Sequence, residues 1–153
     1  MSMNQNQSPQ ESIHITILIA GNPNTPAHIL DELASHIDKR IAERVAENPR
    51  TSTETLSTLI EHEDADVRSA VANNINAPSH LILALVNDES PDVRYSLAEN
   101  AILPLEYLEV LAEDENPYIS CRARQTMMRI EGGNVTQADF QSANNKSAKL
   151  RAV

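Results

Sequence analysis

Asn22, Asn48, Asn74 and Asn100 are each 26 residues apart. A spacing kept that strictly leaves few folds open, because fixed periods of this length are the mark of stacked repeats. Other columns keep the same register: Leu33, Leu59, Leu85 and Leu111; Leu30, Leu56, Ile82 and Leu108; Ile41, Val67, Val93 and Ile119; Val45, Val71, Leu97 and Ala123. The register runs from Asn22 to Gln125 without an insertion. A unit this short cannot bury its apolar face alone, so neighbouring units must stack. With only three glycines in 153 residues, a turn-rich β fold is disfavoured. The pattern predicts an all-α chain: a short right-handed α-solenoid of four 26-residue two-helix repeats with an N-terminal capping helix.

The first helix of each unit is expected to begin near Pro26, Ser52, Pro78 and Pro104, since proline suits a first helical turn that has no intrahelical partner for its missing N–H. Thr25 and Thr51 are placed to act as N-caps, and Thr51 with Glu54 spells a capping box. Ile29, Leu30, Leu33 and Ala34 share one face at helical spacing. The second helix has a clearer start, with Asp38, Asp64, Ser90 and Asn116 in one column of strong N-cap residues. It carries Ile41/Val45, Val67/Val71 and Val93/Leu97 inward and ends at the asparagine column. There asparagine serves either as a left-handed helix terminator or as a rung of side-chain hydrogen bonds between repeats.

The register also runs backwards, from Asp38 to Ser12, Ile41 to Ile15 and Val45 to Ile19. Residues 12–21 are therefore expected to be a lone second helix that caps the stack, with 1–11 a disordered N-terminus. Residues 22–131 form the four repeats and a helical extension through Met127, Met128 and Ile130. Gly132-Gly133 breaks the pattern, leaving 132–153 as a polar, basic, disordered tail that holds Phe140, the only phenylalanine. Capped at both ends, the chain is expected to be a monomer.

The motif N-P-x-T-P, then L-x-x-L, then D-x-x-V-R-x-x-V-A resembles the leucine-rich repeat variant family. It is carried by Asn22 to Pro26 with Leu30 and Leu33, by Asp64 to Ala72, and again by Ser90 to Ala98. The resemblance spans residues 12–125 and implies an α-solenoid related to HEAT and armadillo arrays, in which one helix of each repeat can be 3₁₀. Some members carry a cysteine-liganded iron–sulfur module at the N-terminus; this chain has no cysteine there, so no cofactor is expected. The family transfers no catalytic residue, and fold alone does not fix function.

No phosphate-binding glycine loop, dinucleotide fingerprint, H-E-x-x-H helix or nucleophile elbow is present. Cys121 is the single cysteine, which excludes an internal disulfide. It stands near Arg122 and Arg124 with no base placed to form a dyad. His36 and His62 share a loop column beside Glu61, Glu63, Asp64, Asp88, Glu89, Asp114 and Glu115. That edge is either a divalent-metal site or a solvated acidic surface. His28 and His80 share an exposed helix position, and His14 has no evident partner. Arg68, Arg94 and Tyr95, with the small Ala72 and Ala98, suggest a groove rimmed by interface-prone side chains. The alternative pairs both arginines with Asp66, Asp92 and Glu99 on a solvated face.

The chain's net charge is −10, unevenly divided. Residues 22–121 hold nineteen acidic and six basic side chains, and 122–153 hold two and six. An acidic stack repels phosphate backbones, so nucleic-acid binding is not expected, although related helical-repeat folds include DNA-repair glycosylases. The basic tail could be attracted to the acidic loop edge. The short run Ile13–Ala20 has no basic flank and is too short to span a bilayer, so a cytoplasmic location without membrane contact is expected. Together these features point to a non-catalytic interaction module for a basic protein or peptide, engaged through Arg68, Arg94, Tyr95, Glu61, Glu63, Asp88, Glu89, Asp114 and Glu115. Alternatives are a small acidic inhibitor or immunity-type protein, and a metal-binding or HEAT-like enzyme-accessory protein.

Overall fold

The computed structural model describes residues 9–130, and among them every regular element is an α-helix. The expectations for residues 1–8 and 131–153, the tail included, lie outside the described residues. The helices are α1 Pro9–Gly21, α2 Ala27–Leu33, α3 Lys39–Glu47, α4 Thr53–Leu59, α5 Ala65–Ala72, α6 Ser79–Leu85, α7 Pro91–Glu99, α8 Leu105–Ala112 and α9 Pro117–Ile130. The odd-numbered helices form one row, each packed directly on the next; the even-numbered helices lean on this row and touch one another far less. None of these helices is 3₁₀.

The starts of the odd helices follow the sequence closely. Asp38, Asp64 and Ser90 accept hydrogen bonds from the backbone N–H groups of Arg40, Asp66 and Asp92, and Asn116 accepts from that of Tyr118. Each satisfies an orphan donor of the first turn. The even helices start one residue later than expected. Pro26, Ser52, Pro78 and Pro104 are extended N-cap residues rather than first helical residues. Ser52, not Thr51, accepts from Thr55 N–H. Thr25 and Thr51 instead turn back, donating their hydroxyls to the carbonyls of Ile19 and Val45. They close the preceding odd helix, where carbonyls lack partners.

The column residues build the core. Ile41, Val67, Val93 and Ile119 are at most 1% exposed, and Val45, Val71, Leu97 and Ala123 are fully buried. α1 departs from the register. It begins at Pro9 instead of Ser12, and among the described residues α3 is its main packing partner. Ile15 and Ile19, expected inward, are each 42% exposed, whereas Ile13, Ile17 and Ala20 pack on the core. The same columns are buried elsewhere because two neighbours cover them; α1 has one.

The asparagine column makes rungs at Asn48 and Asn74, and Asn48 and Asn100 end their helices without a left-handed turn. Asn48 and Asn100 are extended, with φ of −70° and −76°. The Asn48 amide donates to the carbonyls of Ala20 and Asn22 at 2.7 and 2.9 Å, and its oxygen accepts from Arg50 N–H. Asn74 repeats this one unit on, donating to Ala46 and Asn48 at 2.6 and 3.0 Å and accepting from Asn76 N–H. Asn100 breaks the series: its amide reaches the side-chain oxygen of Asn73 at 3.2 Å.

Candidate functional site: an acidic loop edge

The loops that lead from each even helix into the next odd helix lie along one edge, and the asparagine loops along the other. Helices α5 and α7 each send an arginine from the first edge into the following unit. Arg68 donates from Nε and Nη2 to the two carboxylate oxygens of Asp88 at 2.8 and 2.9 Å. Its Nη1 donates to the carbonyls of His62 and Glu63. Both side chains of this pair are only 8% exposed. Arg94 does the same one unit later, with Asp114 at 2.7 and 3.3 Å and the carbonyls of Asp88 and Glu89.

This arrangement corrects the expected pairing of the arginines: their partners are Asp88 and Asp114 rather than Asp66, Asp92 or Glu99. Arg68 is buried in its pair, whereas Arg94, though paired, still lines the hollows of this edge. Ala72 and Ala98 are buried in the core, and neither lines a hollow with the arginines. Tyr95 lies apart from the arginine pairs, 37% exposed, with the Arg122 guanidinium 5.6 Å from its ring centroid. Arg122 also pairs with Glu99 at 3.1 Å. The missed signal was in the columns themselves: the position of Arg68 reads Thr16, Ala42, Arg68, Arg94, and the position one loop on reads His36, His62, Asp88, Asp114. Aspartate appears in the unit that follows an arginine, histidine in the unit that follows Thr16 or Ala42.

All four residues of that second column perform one local task. His36 and His62 accept through Nδ1 from the N–H of Asp38 and Asp64, and Asp88 and Asp114 accept from Ser90 and Asn116. Each histidine is thereby committed to its own turn. Among the described residues no group of three His, Cys, Asp or Glu side chains is placed to hold a metal ion. The Cys121 sulfur accepts from the Gln125 side-chain amide.

Burial raises the pKa of Asp88 and Asp114, but the arginine donors and the turn N–H outweigh it, so both carboxyls titrate below their ordinary value. Arg40 holds half-buried Asp38 down at about 2, and Lys39 lowers Asp64. A carboxyl with a depressed folded pKa adds stability that is complete above the unfolded value, about 3.9 for aspartate, and is lost as pH falls through the folded value. Unfolding by urea is therefore expected to require less denaturant as pH falls below about 4. Asp88→Asn with Asp114→Asn should flatten that acid limb. An acid limb equally steep in the double variant would show that the pairs do not carry it.

With Asp88 and Asp114 withdrawn, the charge that stands outward in these loops is mainly glutamate, with Asp66 and Asp92 exposed in the first turns of α5 and α7. Glu61, Glu63, Glu89, Glu113 and Glu115 are all exposed, Glu89 with 92% of its side chain open. Two adjoining shallow hollows share Glu89, Arg94 and Glu115. Val86 and Val110 wall one of them, and Pro91, Pro117 and Tyr118 the other. Tyr118 is 78% exposed, so the edge offers an aromatic face beside its carboxylates.

No family model, no curated protein and no solved structure matches this chain. Among the described residues no helix is long and apolar enough to cross a membrane.

Proposed function

We propose that this chain is a short right-handed α-solenoid of four 26-residue units, of the leucine-rich repeat variant kind, and that it works as a non-catalytic module binding a basic protein or peptide. The single observation that carries the partner chemistry is the division of labour among the acids. Asp88 and Asp114 are neutralised inside the edge by Arg68 and Arg94, while the glutamates stand outward around the hollows. Lysine and arginine side chains suit such a surface, since their stems lie on apolar walls while their charge meets carboxylates. Close packing within the odd row supports placing that row on the inner side of the curve.

The test is affinity capture from lysate of the protein's own source at low and high salt, with mass spectrometry. The parent is compared with a variant in which Glu61, Glu63, Glu89 and Glu115 are changed to glutamine. These side chains are exposed, so the fold is retained. A basic protein is expected at low salt, lost at high salt because exposed charges are screened within about 10 Å at 0.1 M, and lost in the variant. A capture that is empty, or that the variant retains, sinks the reading.

A further inference from the structure

On the edge opposite the glutamates, the α5/α7 joint differs from the two joints before it. At Pro23-Asn24-Thr25 and Pro49-Arg50-Thr51 the inter-unit loops are polar, with the threonine hydroxyls turned back and the Asn48 and Asn74 rungs made. The next two loops read Ile75-Asn76-Ala77 and Ala101-Ile102-Leu103. Both threonines are gone, and the Asn100 amide goes to Asn73. The joint leaves a hollow of ≈ 130 Å³ between Ala72, Ala77, Ile82, Leu103 and Pro104, with Asn73, Asn74 and Asn100 on its polar side. Ile75 and Ile102 stand at its mouth, 79% and 87% exposed. Two large isoleucines on adjacent loops around an apolar hollow are a surface that asks for a cover.

The chain supplies a candidate at that spot. α9 runs from the glutamate edge to the asparagine edge and ends at Ile130. Its last turn is tied beside the hollow, Arg129 donating to the Glu99 carbonyl, next to Asn100. Phe140, the only phenylalanine, follows Ile130 by ten residues, which reach about 33 Å when extended. The hollow is of the size that admits an aromatic ring: an engineered apolar cavity of about 150 Å³ binds benzene. We propose that Phe140 docks between Ile75 and Ile102, so that the C-terminal segment closes the α5/α7 joint on the asparagine edge. The tail is then anchored away from the glutamate edge, which stays open to a partner. This inference does not rest on the basic-partner reading.

The chain's single phenylalanine gives a direct probe. The full-length protein is produced with para-fluorophenylalanine and read by fluorine NMR, alone and with Ile75→Asp or Ile102→Asp. Both substitutions fall at exposed positions, and circular dichroism checks that the helices persist. The expected result is one resonance displaced from its position in a free peptide of the tail sequence, returning there in either variant. A parent resonance already at the free-peptide position overturns the proposal. So does a displaced resonance that neither variant moves, which puts the ring elsewhere. A displacement that fades on dilution also overturns it, because the ring then belongs to a second copy.

Discussion

Arg68→Ala is expected to lower the free energy of unfolding by about 3–5 kcal/mol, the range for breaking a buried ion pair from one side. The loss is large because the substitution strands more than a charge. Asp88 is left as a carboxylate with only 8% of its side chain exposed, and the carbonyls of His62 and Glu63 lose the Nη1 donor. Much of the cost is desolvation rather than lost attraction. Asp88→Asn removes the stranded charge while keeping an oxygen for Ser90 N–H. Adding it to Arg68→Ala should therefore recover stability, and the two changes should be strongly non-additive in urea unfolding. If Arg68→Ala costs no more than an exposed pair, about 0–1 kcal/mol, the guanidinium is not the buried clamp described above.

Asn74→Ala is expected to cost roughly 2–3 kcal/mol, the upper part of the range for leaving a buried polar group without its partner. It takes the donor from the Ala46 carbonyl, leaves the Asn48 carbonyl with the Thr51 N–H alone, and removes the acceptor of Asn76 N–H, at a residue that is 6% exposed. Asn100→Ala, at the same column, should cost under about 1 kcal/mol, because its amide meets only exposed groups, the Asn73 side chain and the Ile102 N–H. Guanidinium unfolding of the two single variants separates a structural column from a broken one. Equal losses would mean that the ladder continues through Asn100.

The helices and their core were legible because both are written at short range. An N-cap such as Asp38 touches a backbone group two residues away, and Ile41 and Val45 share a face by helical spacing. The arginines were not, because Arg68 and Arg94 find their partners twenty residues on, in the next unit. Proximity in sequence favoured Asp66 and Asp92 instead, and hid the exchange of His62 for Asp88. Thr25 and Thr51 were misplaced for a related reason. A threonine between two helices suits the start of one and the end of the other, and Ser52 already served the start. The candidate edge was readable as acidic, but which acids remain for a partner depends on those buried pairs.

The two clamps never share a joint. Asn48 and Asn74 pin α1 to α3 and α3 to α5 along the asparagine edge. There Thr16 or Ala42 stands where the later units carry arginine. Arg68 and Arg94 pin α5 to α7 and α7 to α9 along the glutamate edge, where the asparagine rung is diverted at Asn100 and replaced by Thr126. Exposed ties cross the opposite edges as well, Lys39 reaching Asp64 and Asp66 between α3 and α5, and Asn73 reaching Ser96 between α5 and α7. The buried fastening nonetheless changes edge and chemistry at α5, from amide–carbonyl rungs before it to charge pairs after it.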